Sequence, residues 1–423
     1  MTIDKAAPAS ASILVVGGGI SGLTTTLEAA EAGQEVLLVE KNPYLGGRVI
    51  QLNQYFPKLC PPTCGLEINF RRIRDSKKIK VLTMTEVVKV EGAPGNYDVT
   101  LKISPRYVNE NCTACGACAD ACESEIDNEF NFGMNRSKAA YLPCEMAFPA
   151  RYVISSEIGA DDKKRCEEAC KYKAVDFSME AKTLTVKVKS VVWATGWKPY
   201  DATKIDNLGF GRHQNIITNM MLERMASLNG PTAGKILRPS DDKAPKTIAF
   251  VQCAGSRDEN HLPYCSYICC LASLKHATYV REQYPDAEMT IYYIDIRTPG
   301  QKYEKFYNKL KEDKKVSFVK GKVAAVAEGD NGNITVTAED AVTGEKINQT
   351  VDLVVLATGM EPTMASDKPQ ADLKFNEDGF IVNDFKKGGM FAAGCANKPA
   401  DVMSSNQNAT GMALKAIQTV LGR

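Results

Sequence analysis

The chain has 423 residues, 44% hydrophobic and 24% charged, with 52 basic and 51 acidic residues and a formal net charge of +1. That length exceeds one ordinary hydrophobic core, so two or three domains are expected, and the even charge balance with no basic block argues against a nucleic-acid partner.

The N-terminus, "MTIDKAAPASAS", lacks the basic start and apolar run of a secretory signal, and no stretch approaches the ~18 apolar residues of a membrane span. A cytoplasmic protein is expected, with any contact at the inner face of the membrane made through partner subunits. Structural disulfides are rare in that compartment, so the 14 cysteines read first as metal or redox sites.

Residues 13–40, "ILVVGGGISGLTTTLEAAEAGQEVLLVE", predict a strand, a glycine turn, a helix and a second strand. Gly17, Gly19 and Gly22 stand in G-x-G-x-x-G spacing, which permits the turn, brings backbone close to a pyrophosphate and lets helix and strand pack. The helix start, with Ile20 and Ser21, points free N–H groups and a positive dipole end at the phosphates. Glu40 closes the second strand where a carboxylate accepts ribose hydroxyls, and Lys41 follows it in the expected contact set. "KNPYLGGRV", with Gly46, Gly47 and Arg48, resembles the second glycine pair of FAD-binding members of the two-dinucleotide flavoprotein superfamily. That resemblance implies FAD. Cys60 and Cys64 in "KLCPPTCGLE" lie near the redox pair of pyridine-nucleotide disulfide oxidoreductases, but with C-x3-C spacing and two intervening prolines. Packing and a ligand role both remain open for them.

Between Glu91 and Thr183 the flavoprotein pattern is interrupted. "CTACGACADAC" sets Cys112, Cys115, Cys118 and Cys122 in the C-x2-C-x2-C-x3-C spacing of a bacterial ferredoxin loop, in which the fourth cysteine points to another cluster. "CEEACKYKAVDF" keeps Cys166 and Cys170 of a second such motif without its preceding Cys-x-x-Cys. One [4Fe–4S] cluster on Cys112, Cys115, Cys118 and Cys170 is expected. Cys122, Cys144 and Cys166 read as buried thiols.

"VKSVVWATGWKP" (188–199) and "VDLVVLATGMEP" (351–362) are apolar strands ending in Ala-Thr-Gly. They resemble the crossing strands of the flavoprotein superfamily and add Ala194, Thr195, Gly196 and Gly359 to the expected cofactor contacts. "GGMFAAGCANKPADV" resembles its C-terminal flavin motif, with Gly394 followed by Cys395 where many relatives have Asp. Residues 246–295 predict a further nucleotide-type strand, turn, helix and strand, but "CAGSRDENHLPYCSYICC" occupies the turn, so direct NAD(P)H binding is not expected. Cys253, Cys265, Cys269 and Cys270 form a four-thiol set at a helix start, and zinc usually shows paired C-x2-C hooks instead. An iron–sulfur cluster is the favoured reading over zinc or inert thiols. His213, His261 and His276 show no metal spacing.

The segment "VQCAGSRDENHLPYCSYICCLASLKHA" resembles the cysteine motif of the A-type flavin subunit family of heterodisulfide reductase, and the resemblance extends over nearly the whole chain. It implies that the four cysteines bind a [4Fe–4S] cluster beside FAD. Longer family members carry further ferredoxin regions, and this compact pattern is more similar to the A-type flavin subunit of the quinone-interacting membrane-bound oxidoreductase of sulfate reducers. That resemblance implies electron transfer between a menaquinone-interacting membrane partner and adenylylsulfate reductase in dissimilatory sulfate reduction. The alternatives are a heterodisulfide-reductase-type electron-bifurcating flavin subunit, a pyridine-nucleotide disulfide oxidoreductase, or a non-catalytic assembly subunit with structural clusters.

The expected fold is α/β, a Rossmann-like, thioredoxin-reductase-like flavoprotein with two dinucleotide-type domains and a ferredoxin-like insertion. The FAD domain is read as discontinuous, over 1–105, 181–245 and 351–423, with the insertion at 106–180 and a nucleotide-fold-derived cysteine domain at 246–350.

Overall fold

A computed structural model describes residues 8–329 and 332–423. The first seven residues, where the N-terminal stretch "MTIDKAA" stands, and residues 330–331 lie outside the described residues. The chain divides into two compact units: Met1–Ile50, Thr63–Trp197 and Pro362–Arg423 form the first, Gln51–Pro62 and Lys198–Glu361 the second.

The first unit is built on a sheet whose strands run in the order Ile79–Leu82, Val36–Val39, Ser10–Val16, Lys182–Trp193, Asn96–Ile103, Thr85–Ala93. Its first four strands are mutually parallel, and Met390–Ala392 pairs parallel to Lys182–Trp193. Strands buried on both faces read as continuous Val, Ile and Leu rather than alternating, as "ILVV" and "VLLV" do here. Register places Val16 opposite Trp193, and Trp193 opposite Ala392. The carboxyl ends of three strands therefore finish level, which is where open parallel sheets take their ligands.

The insertion belongs to this unit but has its own small core of Val108, Cys118, Cys122, Ile154, Ile158, Cys166 and Ala174. Its two ends are tied by the Val108–Val175 bridge and by Asn109 N–H to the Ala174 carbonyl at 2.7 Å. Buried Arg106 fixes it to the sheet, donating at 2.6 Å to both the Pro43 carbonyl and Thr83 Oγ1.

The second unit has a five-stranded parallel sheet in the order Ile216–Thr218, Leu353–Thr358, Thr247–Ala254, Glu288–Tyr293, Val316–Lys320. Beside it lies an antiparallel sheet of Val323–Glu328, Ile334–Glu339 and Lys346–Val351. The helices Cys269–Gln283 and Gln301–Lys311 complete the nucleotide-type pattern. Ile216–Thr218 and Leu353–Thr358, read from sequence with the FAD domain, pair inside this second sheet. The apolar run 353–358 matches 191–194 in character, so its sheet is decided by long-range partners that composition does not display.

Candidate flavin and thiol sites

In the first unit the glycine turn after Ser10–Val16 is built by close approach. Gly17 has φ +105° and lies against the Ala194 carbonyl, while a Cβ on Gly22 would overlap the Gly17 carbonyl oxygen. Gly19 bridges to Gly46, whose N–H donates to the Gly18 carbonyl at 2.8 Å, and Gly47 packs on Gly19. Both glycine motifs thus form one surface at the start of the helix Ile20–Glu31, where Ser21 is buried against Gly394.

Glu40 is buried, and its carboxylate accepts from Gly18 N–H at 2.5 Å, Asn42 N–H at 2.8 Å and Asn42 Nδ2 at 2.9 Å. Burial raises its pKa above the usual carboxylate value, opposed by those hydrogen bonds. Lys41 is engaged by Glu86 at 2.7 Å and Asp367 at 3.0 Å. Arg48 donates from Nε to the Trp197 carbonyl at 3.2 Å and lies 5.9 Å over the Phe132 ring of the insertion. Insertion and glycine surface also meet at Leu45 N–H to the Phe148 carbonyl, 2.9 Å, and at the edge contact of Tyr44 with Phe130.

At the opposite strand ends, Ala194 is buried, and Thr195 Oγ1 is a buried oxygen without a hydrogen-bond partner. An orphaned buried hydroxyl beside a glycine cradle fits a bound polar cofactor. Gly196 follows with φ +68°. Gly394 N–H donates to Asn408 Oδ1 at 2.8 Å. Cys395 is buried and turns its thiol to the Ala400 carbonyl at 3.5 Å, and burial pushes its pKa up. The residue standing where relatives have Asp is therefore a neutral thiol facing its own loop. Gly359 lies in the second unit, against Ser256, Leu262 and Ser266.

The insertion brings Cys112, Cys115, Cys118 and Cys170 to the wall of one small cavity, lined also by Tyr152 and Tyr172. Backbone N–H groups are aimed at two of the sulfurs, Ala114 at Cys112 Sγ (3.4 Å) and Ala174 at Cys170 Sγ (3.2 Å). Such donors stabilise thiolates. Burial pushes the Cys118 thiol up to about 11, reinforced by the nearby Cys112 and Cys170. Cys122 and Cys166 are buried but do not line this cavity, donating to the Ser124 carbonyl (3.6 Å) and the Cys118 carbonyl (3.3 Å). Cys60 and Cys64 are exposed.

In the second unit, Cys253 is the penultimate residue of the central strand, with φ +55°, and Cys265, Cys269 and Cys270 lie near enough for charge on one thiol to raise another. Tyr267 N–H donates to Cys265 Sγ at 3.4 Å; Cys269 and Cys270 reach the Thr358 and Asp295 carbonyls at 3.8 and 3.5 Å. Burial pushes Cys253 up to about 11 and Cys269 well above the usual thiol value, and neighbouring thiols add to both shifts. Four such thiols ionise together only around a compensating positive core. Gln252, immediately before Cys253, is buried with neither amide atom paired. Among the described residues, no three His, Cys, Asp or Glu side chains are arranged to hold a single metal ion. In a four-iron cluster each thiolate takes its own iron, which calls for a wider set than one ion does.

Known proteins share both the motifs and the fold. The FAD-dependent oxidoreductase family matches residues 12–55, the glycine turn through the second glycine pair. The second A-type iron-sulfur subunit of the CoB–CoM heterodisulfide reductase of Methanopyrus kandleri is 39% identical over 416 residues, covering 95% of this chain and 63% of that protein. The A-type subunit of the H2:CoB–CoM heterodisulfide, ferredoxin reductase of Methanothermobacter thermautotrophicus is 36% identical over 415 residues, with the same coverages. Over 95% of its length the chain is similar to A-type subunits of heterodisulfide reductase. It spans a little under two thirds of the length of these relatives. Thioredoxin reductase of T. acidophilum has the same fold, with TM-score 0.53 at 14% identity over 98% of this chain and 99% of that one. The Lactococcus lactis enzyme gives 0.52 at 12% identity, over 98% and 100%. The thioredoxin-reductase-like architecture expected from the sequence is the one observed, and the match to the FAD-dependent oxidoreductase family over residues 12–55 accords with it. No described helix is long and apolar enough to cross a membrane.

Two groups escaped the sequence reading. Arg257 pairs with Asp295 at 2.9 Å, and its positive charge opposes the burial that raises the Cys253 thiol; only its position four residues past Cys253 hints at this. His276 is fully buried and bonded through Nε2 to Glu223 Oε1 at 2.6 Å, a core histidine with a partner 53 residues away.

Proposed function

We propose that this chain is the flavin- and iron–sulfur-carrying electron-transfer subunit of a heterodisulfide-reductase-type complex. FAD sits on the cradle of Gly17, Gly19, Gly22, Glu40, Gly47 and Arg48, a [4Fe–4S] cluster on Cys112, Cys115, Cys118 and Cys170, and a second on Cys253, Cys265, Cys269 and Cys270. FAD exchanges electrons singly or in pairs and each cluster passes one at a time, so their combination splits pair transfer into single steps. The chain's own residues bind and orient: the glycine turn admits the pyrophosphate, and the backbone N–H groups on Cys112, Cys170 and Cys265 hold negative charge on sulfur. The observation that carries the reading is the cavity into which the insertion brings four cysteines separated by up to 58 positions in the chain.

The relatives' names mention CoB–CoM heterodisulfide and ferredoxin, which brings the heterodisulfide-reductase reading, with electron bifurcation as its extension, ahead of the quinone-linked one. Transfer between adenylylsulfate reductase and a menaquinone-interacting membrane partner is a finer form that rests on the sequence resemblance alone. Partner subunits belong to either form. The test is an anaerobic reductive titration with dithionite. About four electrons per chain are expected, two for FAD and one for each cluster; an end point at two electrons contradicts the proposal.

A further inference from the structure

The second thiol set has a fixed cation that neither the flavin cradle nor the ligand set uses. Arg257 occupies a left-handed backbone position, φ +57°, in the loop after Cys253. Its N–H donates to the Tyr264 carbonyl at 3.0 Å, directly before Cys265. Its Nη1 meets Asp295 Oδ2 at 2.9 Å, and the Asp295 carbonyl receives the Cys270 thiol at 3.5 Å. One residue thus touches the segments bearing Cys253, Cys265 and Cys270. Its side chain is about one quarter exposed, and that of Asp295 is about half exposed. The net field at the sulfurs is therefore that of a partly desolvated cation whose counter-charge is well hydrated. A guanidinium stays charged at any working pH and keeps its geometry when desolvated, unlike a lysine ammonium.

We propose that Arg257 is a positioning residue that sets the reduction potential of the iron–sulfur cluster held by Cys253, Cys265, Cys269 and Cys270, with Asp295 as the counter-charge that moderates it. The inference rests on the cluster assignment proposed above. Adding an electron to the cluster adds negative charge, which the guanidinium stabilises and the carboxylate opposes; hydrogen bonds and nearby charge at the sulfurs are among the known determinants of cluster potential. The two residues should therefore act in opposite directions.

The test is a redox titration followed by electron paramagnetic resonance on the full-length protein, with iron and acid-labile sulfide measured on the same samples. The signal lost in the Cys269→Ser, Cys270→Ser variant identifies the cluster. In Arg257→Gln the reduced-to-oxidised ratio at the wild-type midpoint is expected to fall about tenfold, which for one electron is a shift of about 59 mV downward. Arg257→Lys should recover most of that shift, and Asp295→Asn should move the midpoint upward with iron content unchanged. If Arg257→Gln does not retain the cluster, the Asp295→Asn arm decides. A retained cluster whose midpoint is unchanged in both variants overturns the proposal. Wild-type protein with no signal assignable to these cysteines overturns the cluster assignment instead, so the two failures are distinguishable.

Discussion

Glu223 is the residue whose loss should cost the second unit most. It is buried, and its carboxylate accepts from Lys275 Nζ and His276 Nε2 at 2.6 Å each, from Asn53 N–H at 2.9 Å and from Tyr279 Oη at 3.3 Å. Lys275, His276 and Tyr279 lie on Cys269–Gln283, the helix whose first turn carries Cys269 and Cys270. Lys275 also reaches the Gln54 carbonyl at 2.6 Å, so the same group seats the 51–62 segment. Truncation to Ala strands a buried ammonium, a defect of about 3–5 kcal/mol. At about 2–4 °C per kcal/mol for a unit of this size, the unfolding midpoint falls by roughly 10 °C. Burial alone pushes the Glu223 pKa up, but Lys275 and His276 outweigh it and bring it down to about 2 from the usual 4.5. Its contribution is therefore complete above pH 4.5 and lost as pH falls toward 2. Burial holds His276 below its usual 6.5, so the unfolded chain gains a proton there first and stability also declines as pH drops below 6.5. Calorimetry of wild type, Glu223→Ala and the charge-free pair Glu223→Leu, Lys275→Met, across about pH 4–8, checks this. The pair should recover at least half of the loss. A midpoint shift under about 2 °C for Glu223→Ala refutes the reasoning.

Gly22→Ala should abolish flavin retention while leaving the second unit folded, because the added Cβ meets the Gly17 carbonyl; flavin absorbance per chain reads this out. Cys118→Ser and Cys170→Ser should each lose about four irons, since each cubane has four, whereas Cys122→Ser and Cys166→Ser keep them, because those thiols face backbone carbonyls and do not line the cavity. NADH or NADPH should fail to bleach the flavin on the turnover timescale, since the "CAGSRD" turn replaces the glycine loop in the second nucleotide-type sheet; rapid bleaching in stopped flow refutes this.

The glycine turn was legible in the sequence because it depends on local spacing: a strand end, a tight turn and a helix start lie within a few residues of one another. Cys170, not Cys122, lines the cavity with Cys112, Cys115 and Cys118, in keeping with a ferredoxin spacing whose fourth cysteine points elsewhere. Contacts made across the sheet were not legible. Leu353–Thr358 carries the same buried apolar signature as Val191–Ala194, and its pairing with Ile216–Thr218 and Thr247–Ala254 leaves no mark in its own residues. Arg257 and Asp295 are 38 positions apart, and Glu223 and His276 are 53 apart. Such pairs are charged residues in ordinary-looking polar segments until the fold brings them together.

The central claim is that FAD and two iron–sulfur clusters share this chain. Iron, acid-labile sulfide and zinc per FAD, measured on anaerobically purified wild type and on the Cys269→Ser, Cys270→Ser variant, test it most directly. About eight irons per flavin, falling by about four in the variant, are expected, since each cubane holds four. Iron that does not change between the two, with only zinc or nothing lost, would contradict it.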